Sequence, residues 1–459
     1  MRIFILRIFI FFEKYKPQVI ITSVYIMFSG VLRTSRHVIA RHRNFSHKVY
    51  SWGNGDYGQL GHVGFVKEGV PPSYQELLPV ELPILSTSNI QWLAAGNRHS
   101  AAINDSGQVL TWGAGGNHRL GHGTEEDEHG PRLVEALVGE NIIQVECGEQ
   151  FTCALDEHGR VYTWGFGGDW SNAGALGHGN SDDCLHPTQL TWFDEHDPEN
   201  PGIVQIAAGK GHILALDGDG QVWSWGKGDY GRLGNGGSTS QLSPQPVELF
   251  EEIPCMFVAA GEHFSGAISD EGKIWMWGRN DQCQLGLGGG LSMEMYSMED
   301  YPTPLGDNSA DNDVHDLTAT YLSLGEQNAC AIFDNGEVYS WGGRTWIEPQ
   351  RMSVLSNLDV YQVACGKNYM AALDGEGKLY TWTKSGVMGR SSALGHGDRS
   401  SKSQPTLVDE LAKGMNETGE RLSTIAAGRE HMLACKYIPD TKPAAPPAAP
   451  PAPPPPKSL

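Results

Sequence analysis

The sequence predicts an all-β fold, a seven-bladed β-propeller closed by pairing of its own N- and C-terminal strands, and three observations carry that prediction. A tryptophan ending an apolar run recurs as Trp52, Trp112, Trp164, Trp225, Trp277, Trp341 and Trp382. A glycine motif precedes the last six, at Gly96, Gly148, Gly209, Gly261, Gly325 and Gly366, always 16 residues before its tryptophan, whereas the interval from each tryptophan to the next motif glycine varies. A seventh motif, AAGREHMLAC with Gly428, has no tryptophan after it, and Trp52 has no motif before it. Constant spacing marks structure and variable spacing marks loop.

Inside each complete unit another glycine falls 11 positions after the first, at Gly107, Gly159, Gly220, Gly272, Gly336 and Gly377, ending strings such as DSG, DGDG and DNG. An Asp opening a turn and a Gly at positive φ are hairpin chemistry. The return strands read VLTW, VYTW, VWSW, IWMW, VYSW and LYTW, rich in β-branched and aromatic residues and suited to burial on both faces. The half-units at the two ends complete one another if 425–438 pairs beside 48–52. An open array would expose both edges, and a ring removes them. Residues 49–438 suffice for about four short strands in each of seven blades.

The stretch VYSWGNGDYGQLGH at 49–62 holds Gly53-x-Gly55-x-x-Gly58, the form of a dinucleotide fingerprint. A fingerprint opens a helix, yet Pro71, Pro72 and Pro79 follow, and the string returns as WGKGDYGRLGNG at 225–236. The glycines are therefore expected to shape a loop leaving an inner strand, with no cofactor. Because each hairpin starts at the glycine motif and returns at the tryptophan, both motifs sit at one end of every blade. One face is thus expected to carry the post-tryptophan residues Asp56, Tyr57, Asp169, Asp229, Tyr230 and Asp281 together with His99, His212 and His431. Phe151, Phe264, Asn328 and Tyr369 replace those histidines in other units, which favours packing at that position. His62, His122, His178 and His396 in the LGH strings are too far apart for a shared metal, given the ~10 Å between stacked sheets, and are expected to bond their own loops. We find no nucleophile–base pair or phosphate loop, and expect no covalent catalysis and no metal.

The combination AAGxxH, D-x-x-G, VYSWG and LGHG resembles the regulator of chromosome condensation repeat family over roughly residues 49–438. The resemblance implies a protein-binding propeller. Its founding member is an exchange factor for a small nuclear GTPase, with acidic residues in the first post-glycine loop among its functional positions, and other relatives act in organelle ribosome or RNA-processing complexes. Asp56 matches that acidic position best, in GNGDYGQLG, and Asp229 equally in GKGDYGRLG; the plain alternative is that these aspartates cap their own turns. One branch of the family senses ultraviolet light with a tryptophan directly after the motif glycine, where this chain has Asn97, Glu149, Lys210, Glu262, Glu326, Lys367 and Arg429. The segment GGRTWIEPQ after Trp341 lacks the LGHG tail, and Trp382 is followed by Thr383, so these blades are expected to be distorted.

Residues 1–48 carry +8 and the tail from Lys442 +2, which leaves −31 on residues 49–441 of a chain at −21. Such a ring repels phosphate backbones and disfavours direct nucleic-acid binding. From Met27 the text MFSGVLRTSRHVIARHRNFSHK has the composition of a mitochondrial presequence, with Met27 as an expected start; a cytoplasmic or nuclear location is the alternative. Charged residues interrupt the apolar runs before it, so no membrane span is expected. The eight cysteines read as small core residues. The Pro/Ala-rich tail, 439–459, is a solvating extension or a ligand for an SH3, WW or EVH1-type domain. The closed ring is expected to be monomeric.

Overall fold

The computed structural model describes the backbone of 24–28 and 31–35, and residues 46–438 apart from 64–73, 87, 170–171, 198–199, 289–296, 307–313, 315 and 384–389. Most of the segment read as a presequence, and the Pro-rich tail, lie outside them. Val24–Phe28 and Val31–Ser35 pair as a two-stranded hairpin. Seven four-stranded antiparallel sheets follow, and six are consecutive in sequence, as in Ile90–Ala95, His99–Asn104, Val109–Gly113 and Glu128–Leu133.

The seventh sheet is composite. Arg421–Ala427 and His431–Ile438 supply its first two strands, and Ser46–Asn54 and Gln75–Glu81 the other two. The seam pairs Val49 with Cys435, Trp52 with Met432 and Gly53 with His431, and it extends to Ser46 opposite Ile438. Gln75–Glu81 and Arg421–Ala427 fill the other edge of each end-strand, and the two remaining edges pair with each other, so this pairing closes the ring.

The motif strand lies at the axis: the first strands of successive blades touch one another around the whole circle. The tryptophan strand is third from the axis, so the loop leaving it starts from an outer position and not from an inner strand. The core is distributed between blades. Seven apolar clusters each hold one of the seven repeat tryptophans, all of these at 0% exposure. The hairpin turns follow the expected chemistry: the Asp217 carboxylate accepts the Asp219 and Gln221 amides, and Gly220 has φ of 90°.

Two devices weld the blades near the axis. Gln144, Gln205 and Gln362, four residues before their motif glycines, each clamp the next blade's first strand with a two-point amide bond. Gln205 donates to the Val258 carbonyl at 3.1 Å and accepts from the Val258 amide at 3.0 Å; Gln144 does the same with Ile206 and Gln362 with Ile425. Further along, the residue after each motif glycine donates its backbone N–H to the next blade. The bonds run Asn97 to Gly148, Glu149 to Lys210, Lys210 to Glu262, Glu262 to Gly325, Glu326 to Gly366, Lys367 to Arg429 and Arg429 back to Gly96. This is a closed circle of seven hydrogen bonds.

Among the described residues no helix is long and apolar enough to cross a membrane. All eight cysteines are free, six of them buried.

Candidate functional site

Backbone bonds fix which motifs share a face. The first residue after each Trp-Gly donates to the carbonyl just before the histidine position, as Asn54 does to Glu430, Ala114 to Arg98, Lys227 to Gly211 and Arg279 to His263. Post-tryptophan loops and motif glycines therefore lie at one end of the ring. At its centre all seven motif glycines and the residues after them enclose a cavity of about 120 Å³. The charged side chains there largely neutralise one another. Lys210 lies 2.5 Å from Glu262 and 3.8 Å from Glu149, Arg429 lies 3.0 Å from Glu326, and Lys367 reaches Glu430. Burial, and then the neighbouring Glu262, raise the Glu326 carboxyl above its usual range.

The histidines expected on this face do not face a partner. His99, His212 and His431 are at 0% exposure, each with Nε2 against a hydroxyl of the next blade: Thr152 at 2.9 Å, Ser265 at 2.8 Å and Ser100 at 2.8 Å. Each hydroxyl donates to the carbonyl of the residue preceding a Leu-Gly pair, Arg119, Arg232 and Gln59 respectively. With its proton so used, the hydroxyl accepts from the imidazole, which fixes an Nε2–H tautomer. Burial pushes the His431 imidazole down to about 4. These three imidazoles are sealed between neighbouring blades, so they leave the candidate face.

Sequence reading missed the partner hydroxyl, although a signal was present. The residue four after each motif glycine is Thr or Ser where the preceding unit has His (Thr152, Ser265, Ser100). It is Ile213, Ala329, Met370 or Met432 where the preceding unit has Phe151, Phe264, Asn328 or Tyr369.

The LGH histidines bond their loops as expected: His62 to Ser51 at 2.9 Å, and His122, His178 and His396 to Thr111, Thr163 and Thr381 at 3.0 Å. The glycine of each Leu-Gly lies against the next blade's tryptophan; a Cβ on Gly234 would stand 2.9 Å from the Trp277 indole nitrogen. Five indoles donate to that loop, as Trp277 does to the Arg232 carbonyl and Trp112 to Gln59. Trp382 has no acceptor, because the loop after Trp341 is cut to a few residues before the strand Trp346–Arg351. Trp164 also lacks one, and nothing in the structure explains that.

The acidic positions separate into distinct environments. Asp56 accepts from the Asn54 side-chain amide at 3.0 Å and its own N–H donates back to Asn54, so it closes its turn. Asp281 is gripped by Arg279 at 2.6 Å with its side chain only 7% exposed. The Asp229 side chain is 49% exposed and meets Lys227 at 3.2 Å on the open surface. Asp169 lies on the short strand Gly168–Asp169, paired with Asn172–Ala173. Tyr57 lies under the Arg98 guanidinium at 4.6 Å; Tyr230 sits between Arg232 and Arg279 at 5.7 and 5.0 Å, with His263 against it. Among the described residues, no group of three His, Cys, Asp or Glu side chains is placed to hold a metal.

A family model described as the RCC1-like domain matches residues 48–434. Human HERC2, an E3 ubiquitin-protein ligase, is 38% identical over 243 residues, covering 52% of this chain and 5% of that protein. The chain thus spans a small fraction of that relative. The ultraviolet-B receptor UVR8 of Arabidopsis thaliana is 30% identical over 356 residues, covering 74% of this chain and 73% of the receptor. Among solved structures, Prp20p of Saccharomyces cerevisiae, described with its binding to Gsp1p and histones, superposes with a TM-score of 0.70 at 22% identity, over 86% of this chain and 92% of that one. A propeller whose blades interlock through Trp-Gly loops, closed by a composite seventh blade and matched over 48–434, places this chain in the RCC1-like domain family.

Proposed function

We propose that the propeller is a protein-binding regulator that engages a partner through the face bearing the post-tryptophan loops, with exchange-factor-like action on a small GTPase as its specific activity. The observation that carries this reading is Asp229. It occupies the acidic position that the family resemblance marks, and it stands half-exposed at the loop tip, whereas Asp56 in the same GDYG string is tied into its own turn. The binding of Prp20p to Gsp1p supports the same class of partner. On this reading the face acts by displacing contacts of the partner. A scaffold without exchange activity is the second reading, favoured by how completely the axial charges pair with one another. Residues 27–48 support import into mitochondria.

Pull-down with the full chain, followed by nucleotide-release assays on any GTPase recovered, tests this. Asp229→Ala should slow release at least tenfold and Asp56→Ala should not. Recovery of no GTPase, or release unaffected by Asp229→Ala, removes the exchange reading and leaves the scaffold. Imaging fusions begun at Met27 and at Val49 tests location: import only of the former is expected, and equal distribution defeats the presequence.

A further inference from the structure

The string GxGDYGxLG occurs twice, and the two copies differ at one buried position. In the copy ending at Gly61 that position is Gln59, whose amide is bonded through both its nitrogen and its oxygen, donating to Asn54 at 2.8 Å and accepting from the Tyr57 backbone at 2.9 Å. Gln284 fills the place in another blade and accepts from the Gln282 amide. Arg119 fills it in the first complete unit, with bonds to the Gly116 and Glu149 carbonyls. Arg232 is different. Its side chain is fully buried, Nε donates to the Asp229 carbonyl, and both terminal guanidinium nitrogens are buried without a hydrogen-bond partner. The nearest carboxylate oxygen, on Asp229, is 4.0 Å away and lies closer to Lys227. The neighbouring Nδ1 of His263 is also buried and unpaired.

A buried cation with unused donors is costly, and a guanidinium fork is shaped to take two acceptor oxygens at once. The other cations around it are already matched: Lys210 by Glu262, and Arg279 by Asp281. Covering the guanidinium is Tyr230, held by cation–π contact with both arginines in a left-handed conformation, φ 64°, that a bulky side chain rarely adopts. The corresponding residue Asn117 has the same left-handed backbone, φ 58°, beside an arginine whose donors are used, so the turn sets this conformation and only the Tyr230 ring need move for the two nitrogens to be reached.

We propose that Arg232 is the receptor for one oxyanion, a carboxylate or phosphate group that enters when Tyr230 swings aside and that pairs with the two free guanidinium nitrogens. The site is independent of whether the propeller acts as an exchange factor. Its chemistry admits two sources, a free inorganic anion or an acidic side chain of a protein partner.

Calorimetric titration of the full chain with inorganic phosphate and, separately, with a capped glutamate peptide tests the site at constant ionic strength. Binding of at least one probe is expected, weakened at least tenfold in Arg232→Gln and unchanged in Arg119→Gln. The glutamine variant should fold, since Gln59 and Gln284 occupy the same place; Arg232→Lys, which keeps the charge but loses the fork, gives a second readout and should also bind more weakly. Phosphate binding alone points to a free anion, and peptide binding to a partner's carboxylate. If wild type binds neither probe, or if both Arg232 variants bind like wild type, the proposal is overturned.

Discussion

The Nε2 of His431 lies 2.8 Å from the Ser100 hydroxyl, joining the last repeat of the chain to the first complete one across 331 residues. The same hydroxyl donates to the Gln59 carbonyl, which also receives the Trp112 indole N–H, so one carbonyl anchors the ring closure on both sides.

Breaking that relay should loosen the ring. Ser100→Ala leaves the buried His431 N–H without an acceptor and should cost about 1–3 kcal/mol. Pairing His431→Phe with Ser100→Met, in imitation of the apolar pairs elsewhere in the ring, should recover most of the loss. Urea unfolding of the single and double variants measures the coupling; purely additive losses would contradict the pairing.

Acid should destabilise the protein through the same histidines. Burial holds His431 at about 4 in the folded state against an ordinary value near 6.5, and lowers His99 and His212 well below that ordinary value too. The unfolded chain therefore binds more protons between these values, and stability falls as pH drops from about 6.5 toward 4. Midpoints of chemical unfolding across this range should show the decline, and it should be shallower in the His431→Phe, Ser100→Met variant.

The glutamine clamps make a separate prediction. Gln205→Leu keeps most of the side-chain volume but strands the Val258 N–H and carbonyl, at a cost of about 2–4 kcal/mol. Gln245, bonded at its own strand, serves as the control: Gln245→Leu should change stability by about 0.5 kcal/mol or less. Comparable losses for the two, measured by denaturant titration, would remove the clamp argument.

Removal of residues 421–459 deletes two strands of the seventh blade and leaves Ser46–Asn54 without its partner on the axial side. The truncated chain should fail to unfold cooperatively and should aggregate through that edge. Size-exclusion profiles and thermal melts decide it; a monomer with a wild-type melt would mean the ring does not need its seam.

Asp56 and Asp229 should also part in stability. Asp56→Ala loses a turn contact and should cost about 0.5–1 kcal/mol, whereas Asp229→Ala should stay within about 0.5 kcal/mol of wild type, as urea midpoints of the two variants will show.

Much of the architecture was legible because a propeller repeats local chemistry. The fixed distance from Gly209 to Trp225 is one hairpin, and turn residues and β-branched strands specify a hairpin within a few residues of sequence. The two unmatched half-units implied the closure, because unpaired strand edges cannot be left open. The candidate face was legible to the same extent: hairpin geometry put Asp229 and the motif glycines at one end.

What the linear pattern left open is whatever depends on the neighbouring blade. His212 and Asp229 both look like face residues in sequence, yet one is sealed against Ser265, 53 positions away, and the other stands in solvent. Tyr57 and Tyr230 sit in the same GDYG string, but only Tyr230 covers a buried arginine with unused donors. Local backbone preferences act over a few bonds and so write the strands, turns and ring into the sequence itself. Burial, charge pairing and the orphaned guanidinium arise only when surfaces far apart in the chain are pressed together, and tertiary packing alone decided them.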